Sequence, residues 1–110
     1  MKQYVVDQLT PDDIQKLRSH LEENYGKPEF DSIFWVPIEQ FSLSEVQQTH
    51  VECQPFFVAV DLQEEQLVCE LLVRTKNKMR CECMGYATEP QRNGIIELMD
   101  GILDKLGISI

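Results

Sequence analysis

The stretch from Phe56 to Tyr86 constrains this chain more than any other, because it holds three segments of alternating apolar and polar residues in quick succession. Phe56 to Leu62, Leu67 to Arg74 and Met79 to Tyr86 are rich in the β-branched and aromatic residues that suit a pleated, half-buried surface. Their connections, Gln63-Glu64-Glu65-Gln66 and Thr75-Lys76-Asn77-Lys78, are too short for the crossover a parallel pair requires. An antiparallel meander over about 56–62, 67–74 and 79–86 is therefore expected.

A one-residue slip in such a meander would invert every side chain, so the apolar pattern proposes a register. Pairing Val60 with Cys69 and Val58 with Leu71, then Leu71 with Cys83 and Val73 with Cys81, gathers Phe56, Val58, Val60, Leu67, Cys69, Leu71, Val73, Met79, Cys81 and Cys83 on one side, the core face. The opposite face then shows Phe57, Ala59, Val68, Leu72, Met84 and Tyr86 among Asp61, Glu70, Arg74, Arg80 and Glu82.

Two helices supply a cover for the core face. Thr10-Pro11-Asp12-Asp13 reads as a helix start, with Thr as N-cap, Pro at the first helical position and acids against the positive end of the dipole. Ile14, Leu17, Leu21 and Tyr25 then share one face, and Gly26 can stop the helix. A closing helix begins at Thr88 to Pro90 and runs to Leu106, with Ile95, Met99, Ile102 and Leu106 on one stripe, Ile96 and Leu103 beside it, and Gly107 as its stop. Ile33 to Ile38 reads as a strand that Pro37 pushes to an edge or ends. Ser42-Leu43-Ser44-Glu45 has capping-box spacing and suggests a short helix over about Leu43 to His50. Tyr4 to Leu9 is β-rich and is a further strand candidate. The expected fold is α+β, a two-layer sandwich in which the antiparallel sheet packs on helices at about 11–25 and 89–106, and a single domain spans 1–110.

Composition narrows the function classes. With 43% hydrophobic and 26% charged residues the chain lies far from the disordered corner. A formal charge of −9 repels phosphate backbones and anionic head groups, which disfavours nucleic-acid or membrane partners. The longest purely apolar run, Phe56 to Val60, is five residues, so neither export nor a membrane span is expected. Four cysteines without a secretory context read as reduced thiols in the cytoplasm.

The half-apolar second face is the most informative functional feature, since an antiparallel sheet with one solvated face should alternate more cleanly. Phe57, Val68, Leu72, Met84 and Tyr86, rimmed by charge, have the composition of an association surface. Two covers satisfy it: the short second helix or the Trp35 segment folding back, or a protein partner, for which a homodimer is the commonest form. The alternative from a different class is a metal or thiol site built from Cys53, Cys81, Cys83 and His50. Geometry opposes it, because residues two apart on a strand lie about 6.5–7 Å apart whereas thiolates sharing a zinc approach to just under about 4 Å. Core packing is the expected role of these thiols. Arg74, Lys76, Lys78 and Arg80 form the one basic spot and a candidate anion site, set against the simpler reading of a solvated turn that discourages edge pairing.

His20 and His50 show no partner in the sequence, the serines lack a G-x-S-x-G context, and the five glycines form no phosphate-cradling loop. Paired acids at Asp12-Asp13, Glu22-Glu23 and Glu64-Glu65 read as solvated charge. No catalytic residue, metal ligand set or cofactor is assigned, and the expectation is a non-enzymatic protein-association module.

Overall fold

The structure, a computed structural model, describes residues 2–30, 32–38, 43–75 and 84–109. Its elements run β1 (Gln3–Val6), α1 (Pro11–Tyr25), β2 (Ile33–Pro37), α2 (Glu45–Thr49), a 3-10 turn (Val51–Cys53), β3 (Phe56–Leu62), β4 (Leu67–Glu70), β5 (Leu72–Thr75), β6 (Gly85–Tyr86) and α3 (Glu89–Lys105). The expected α+β fold with an antiparallel sheet is what the chain adopts.

Local chemistry sets the helix ends. Thr10 caps α1 with its hydroxyl on the Asp13 amide at 3.1 Å, and the Asp13 carboxylate returns a bond to the Thr10 amide at 3.1 Å. Thr88 and Gln91 make the same reciprocal box at the start of α3. Such a box satisfies two of the amides that a helix start leaves open. Beyond α3, Gly107 takes φ 72°. Its amide bonds the Asp104 carbonyl at 3.0 Å, while the Ile108 amide bonds the Leu103 carbonyl at 2.9 Å. This is a Schellman closure that buries Ile108. The short helix begins two residues later than the Ser42 spacing suggests: Ser44 is the N-cap and Gln47 answers it, which leaves Leu43 in the core. Ser42 itself lies outside the described residues.

β3 is the spine of the sheet. It pairs antiparallel with β2 on one edge and with β4 and β5 in succession on the other. β1 pairs with β4, and β6 with β5, so two short strands from distant parts of the sequence share the next column. The expected strand over 67–74 is thus broken at Leu71. Its amide donates to the Lys2 carbonyl at 3.1 Å, and its carbonyl accepts from the Ala87 amide at 2.7 Å. Val60 pairs with Cys69 as expected, but Phe57 pairs with Arg74 and Phe56 with Thr75, so the Val58–Leu71 pairing gives way to a bulge of two residues. An even slip keeps each side chain on its expected face. Val73 pairs with Gly85 rather than Cys81, and Leu72 with Tyr86. Residues 79–83 of the third expected strand, and with them Cys81 and Cys83, lie outside the described residues. The opening strand covers Gln3–Val6 rather than 4–9, and it joins the sheet.

The core fills one side of this sheet. Phe34, Val36, Phe56, Val58, Val60, Leu62, Leu67, Cys69 and Val73 meet Leu17 and Leu21 of α1 and Ile95, Met99, Ile102 and Leu103 of α3. Leu17 and Leu21 are fully buried, and each contributes about 1.5–3 kcal/mol by leaving water. α2 lies on the same side: Leu43 and Cys53 around it join the core, and buried Gln47 accepts a 2.7 Å bond at Oε1 from Gln91 Nε2 of α3. The same Gln47 oxygen accepts from the Ser44 amide at 3.0 Å, which links the two capping boxes. The Tyr4 hydroxyl of β1 donates to the Asp100 carboxylate and ties the outer column of the sheet to α3.

Candidate association surface

The second face is built by alternate residues of every strand. β2 contributes Ile33, Trp35 and Pro37, which pair with Asp61, Ala59 and Phe57 of β3. Val68, Leu72 and Arg74 follow on β4 and β5, Val5 stands opposite Val68, and Tyr86 opposite Leu72. Every buried apolar residue of α1 and α3 belongs to the core cluster on the other side, while buried Ala59 and Val68 stand outside that cluster. Among the described residues, no helix covers this face. Among the described residues α2 sits beside α3, and Trp35 lies within β2, across from buried Ala59, and adds its own ring to the face.

Apolar exposure and unmet polarity occur together here. Val5 is 39% exposed and Tyr86 46%, while Ile33, Trp35, Phe57 and Leu72 are half-buried. Trp35 and Phe57 meet edge to face, with centroids 6.5 Å apart and planes at 79°, a geometry that fixes both rings and their shared surface. The Lys2 ammonium lies 5.6 Å from the centroid of the Tyr86 ring. Glu70 binds Arg74 through Nη2 at 2.9 Å across the bulge. Asp61 accepts from Gln63 at 3.0 Å on Oδ2. Asp61 Oδ1 and Arg74 Nε are nevertheless buried and lack a hydrogen-bond partner among the described residues. A buried polar atom left so costs about 1–3 kcal/mol.

The expected association residues divide. Phe57, Val68, Leu72 and Tyr86 share the second face, whereas Met84 packs against the core, because the chain enters the sheet only at Gly85. Trp35, Ile33 and Val5 are additions; the alternation of Ile33, Trp35 and Pro37 against Phe34 and Val36 carried the signal once β2 had a partner. Of the anion candidates, Arg74 already has Glu70 for its charge, and Lys76, Lys78 and Arg80 lie outside the described residues.

Of the thiol alternative, Cys53 and His50 lie within the described residues. Cys53 is buried with its carbonyl bonded by the Thr75 hydroxyl at 2.5 Å, and Cys69 is buried under the helices. Burial, followed by the neighbouring Glu70 charge, pushes the Cys69 thiol up to about 12, where it stays protonated and is neither ligand nor nucleophile. No three of the described His, Cys, Asp or Glu side chains group around a metal position, and Cys81 and Cys83 lie outside those residues. Two open depressions border the β3–β4 turn, lined by Asp7, Gln8, Gln63 to Gln66 and the start of α1. Among the described residues, no helix is long and apolar enough to cross a membrane.

The fold and this face define a class: a two-layer α+β domain with helices on one side of its sheet and a mixed aromatic and charged surface on the other. Comparison of the chain with protein-family models, with curated proteins and with solved structures finds no match.

Proposed function

We propose that this chain is a non-enzymatic protein-association domain of the cytoplasm that works as a homodimer through the second face of its sheet. The observation that carries the reading is the gathering of exposed Val5 and Tyr86 with half-buried Trp35, Phe57 and Leu72 on one face of the sheet. Interface centres combine aromatic and aliphatic anchors with a few polar groups in this way. Charge adds to the argument. The molecule carries −9, so most of its surface opposes a second copy. On the second face Asp61 and Glu70 are balanced by Arg74 and Lys2, which allows approach there.

Phe57→Asp and Leu72→Asp test the reading. Each places a carboxylate among the apolar anchors while leaving the core side of β3 and β5 intact. The parent should sediment as a dimer at micromolar concentration and both variants as folded monomers, with circular dichroism reporting the fold. Unchanged mass in folded variants would sink the proposal.

A further inference from the structure

Independently of the association face, we infer that residues 43–54 form a strap that opens as one unit while the sheet and the two long helices stay folded, and that this strap is the shutter over the Cys53 thiol. Its own bonds tie its parts together. Ser44 and Gln47 close the α2 box at 3.3 and 3.0 Å, Gln48 Nε2 donates to the Leu43 carbonyl at 2.9 Å, and Gln54 Nε2 reaches back to the Gln47 carbonyl at 3.3 Å. Along the backbone, the His50 amide bonds Val46 at 3.2 Å, Cys53 bonds His50 at 3.0 Å, and Gln54 bonds Val51 at 3.2 Å. A helix of five residues does not persist alone in water, so once the segment leaves the body these bonds go together.

The seam beneath the strap differs in chemistry from the rest of the core. Gln91 Nε2 of α3 donates to Gln47 Oε1 at 2.7 Å, and the Thr75 hydroxyl of β5 donates to the Cys53 carbonyl at 2.5 Å. Among the described residues, Gln47, Thr75 and Gln91 are the buried polar ones, and all three stand at this seam. Of the strap's apolar side chains, Leu43 and Cys53 are buried, while Val46 is 43% and Val51 70% exposed. A hydrogen bond is exchanged for water at small net cost, whereas a large apolar side chain loses its whole burial when it is exposed. A seam of polar latches and two apolar plugs therefore parts more readily than the aliphatic seams under α1 and α3. Cooperative segments of this kind open at free energies below that of global unfolding.

Alkylation of the full chain with iodoacetamide tests the strap, each thiol being followed by peptide mass mapping and its rate divided by the rate in urea. Both thiols should label slowly in the native protein. Cys53 should nevertheless react about 10-fold faster than Cys69 and depend less on low concentrations of urea, because opening the strap exposes less surface than unfolding does. Hydrogen exchange should give the amides of Gln48, His50, Cys53 and Gln54 one shared protection, equal to that of the Cys53 thiol. Leu17→Ala weakens the packing of α1 and should speed Cys69 labelling by at least about 30-fold, yet leave Cys53 unchanged, since the strap opens with α1 in place. Thr75→Val removes a latch that both kinds of opening break and should speed both thiols by about 10-fold. If Thr75→Val fails to fold, Gln91→Glu replaces it, because it keeps the oxygen that closes the α3 box and loses the donor to Gln47. Equal protection of Cys53 and Cys69 in the parent, a Leu17→Ala chain in which both thiols speed up alike, strap amides with unrelated protections, or a Cys53 rate indifferent to the latch variants would each overturn the strap.

Discussion

Tyr4 should make stability fall with alkaline pH in a way that its removal abolishes. Its side chain leaves β1 on the core face, and its hydroxyl donates to Asp100 of α3, ninety-six positions away in sequence. That hydrogen bond, then burial, then the Asp100 charge push the phenol from 10.0 up to about 12. A folded pKa above the unfolded one means the neutral phenol is favoured in the native state. Its contribution is therefore complete below about pH 10 and disappears as pH rises through about 12. The displacement sets a ceiling of about 2.7 kcal/mol, which solvent screening at a partly exposed hydroxyl lowers to roughly 1 kcal/mol. Urea unfolding of the parent and of Tyr4→Phe at stepped pH reads this directly. With a denaturant slope of about 1–1.5 kcal/mol per molar, the midpoints should differ by ~0.8 M at neutral pH. The gap should then close as the phenol ionises, while the general cost of a growing negative charge affects both proteins alike. A gap that stays constant into strong alkali, or no gap near neutrality, would refute the role given to the Tyr4 hydroxyl.

Two further outcomes follow from the core. Cys69, held protonated and covered, and Cys53, fully buried, should resist alkylation in the native protein at mildly alkaline pH and react at once in urea, as peptide mass mapping would record; rapid native labelling of either would contradict the burial described. Phe34→Ala removes a ring that is 1% exposed beneath the helices and should destabilise the fold by about 3–5 kcal/mol, measured by thermal or urea unfolding.

How much of this was legible in the sequence depends on the range of the forces involved. The caps at Thr10 and Thr88 and the stop at Gly107 depend on residues three or four positions away, and the structure places them where the pattern did. The two faces of β3 were legible for a similar reason, since alternation is a property of the strand itself. The break at Leu71 was not, because it is settled by backbone bonds to Lys2 and Ala87, neither of which announces itself locally. The choice of Ser44 over Ser42 likewise depends on Gln91, far along the chain, whose amide fixes the Gln47 side chain that closes the box. Trp35 entered the surface only once β2 had a neighbour. Asp61 and Arg74 could be read as charges on the second face, but their unmet atoms required the packing around them.

The shared oxygen of Gln47 also sets an order of events. A helix of five residues does not persist alone in water, and α2 holds its shape partly because Gln91, at the head of the last helix, completes the bonding of Gln47. A segment in the first half of the chain therefore reaches its final form only after the last helix has docked. During synthesis it waits through β3, β4, β5 and β6 for a partner some forty-four positions downstream.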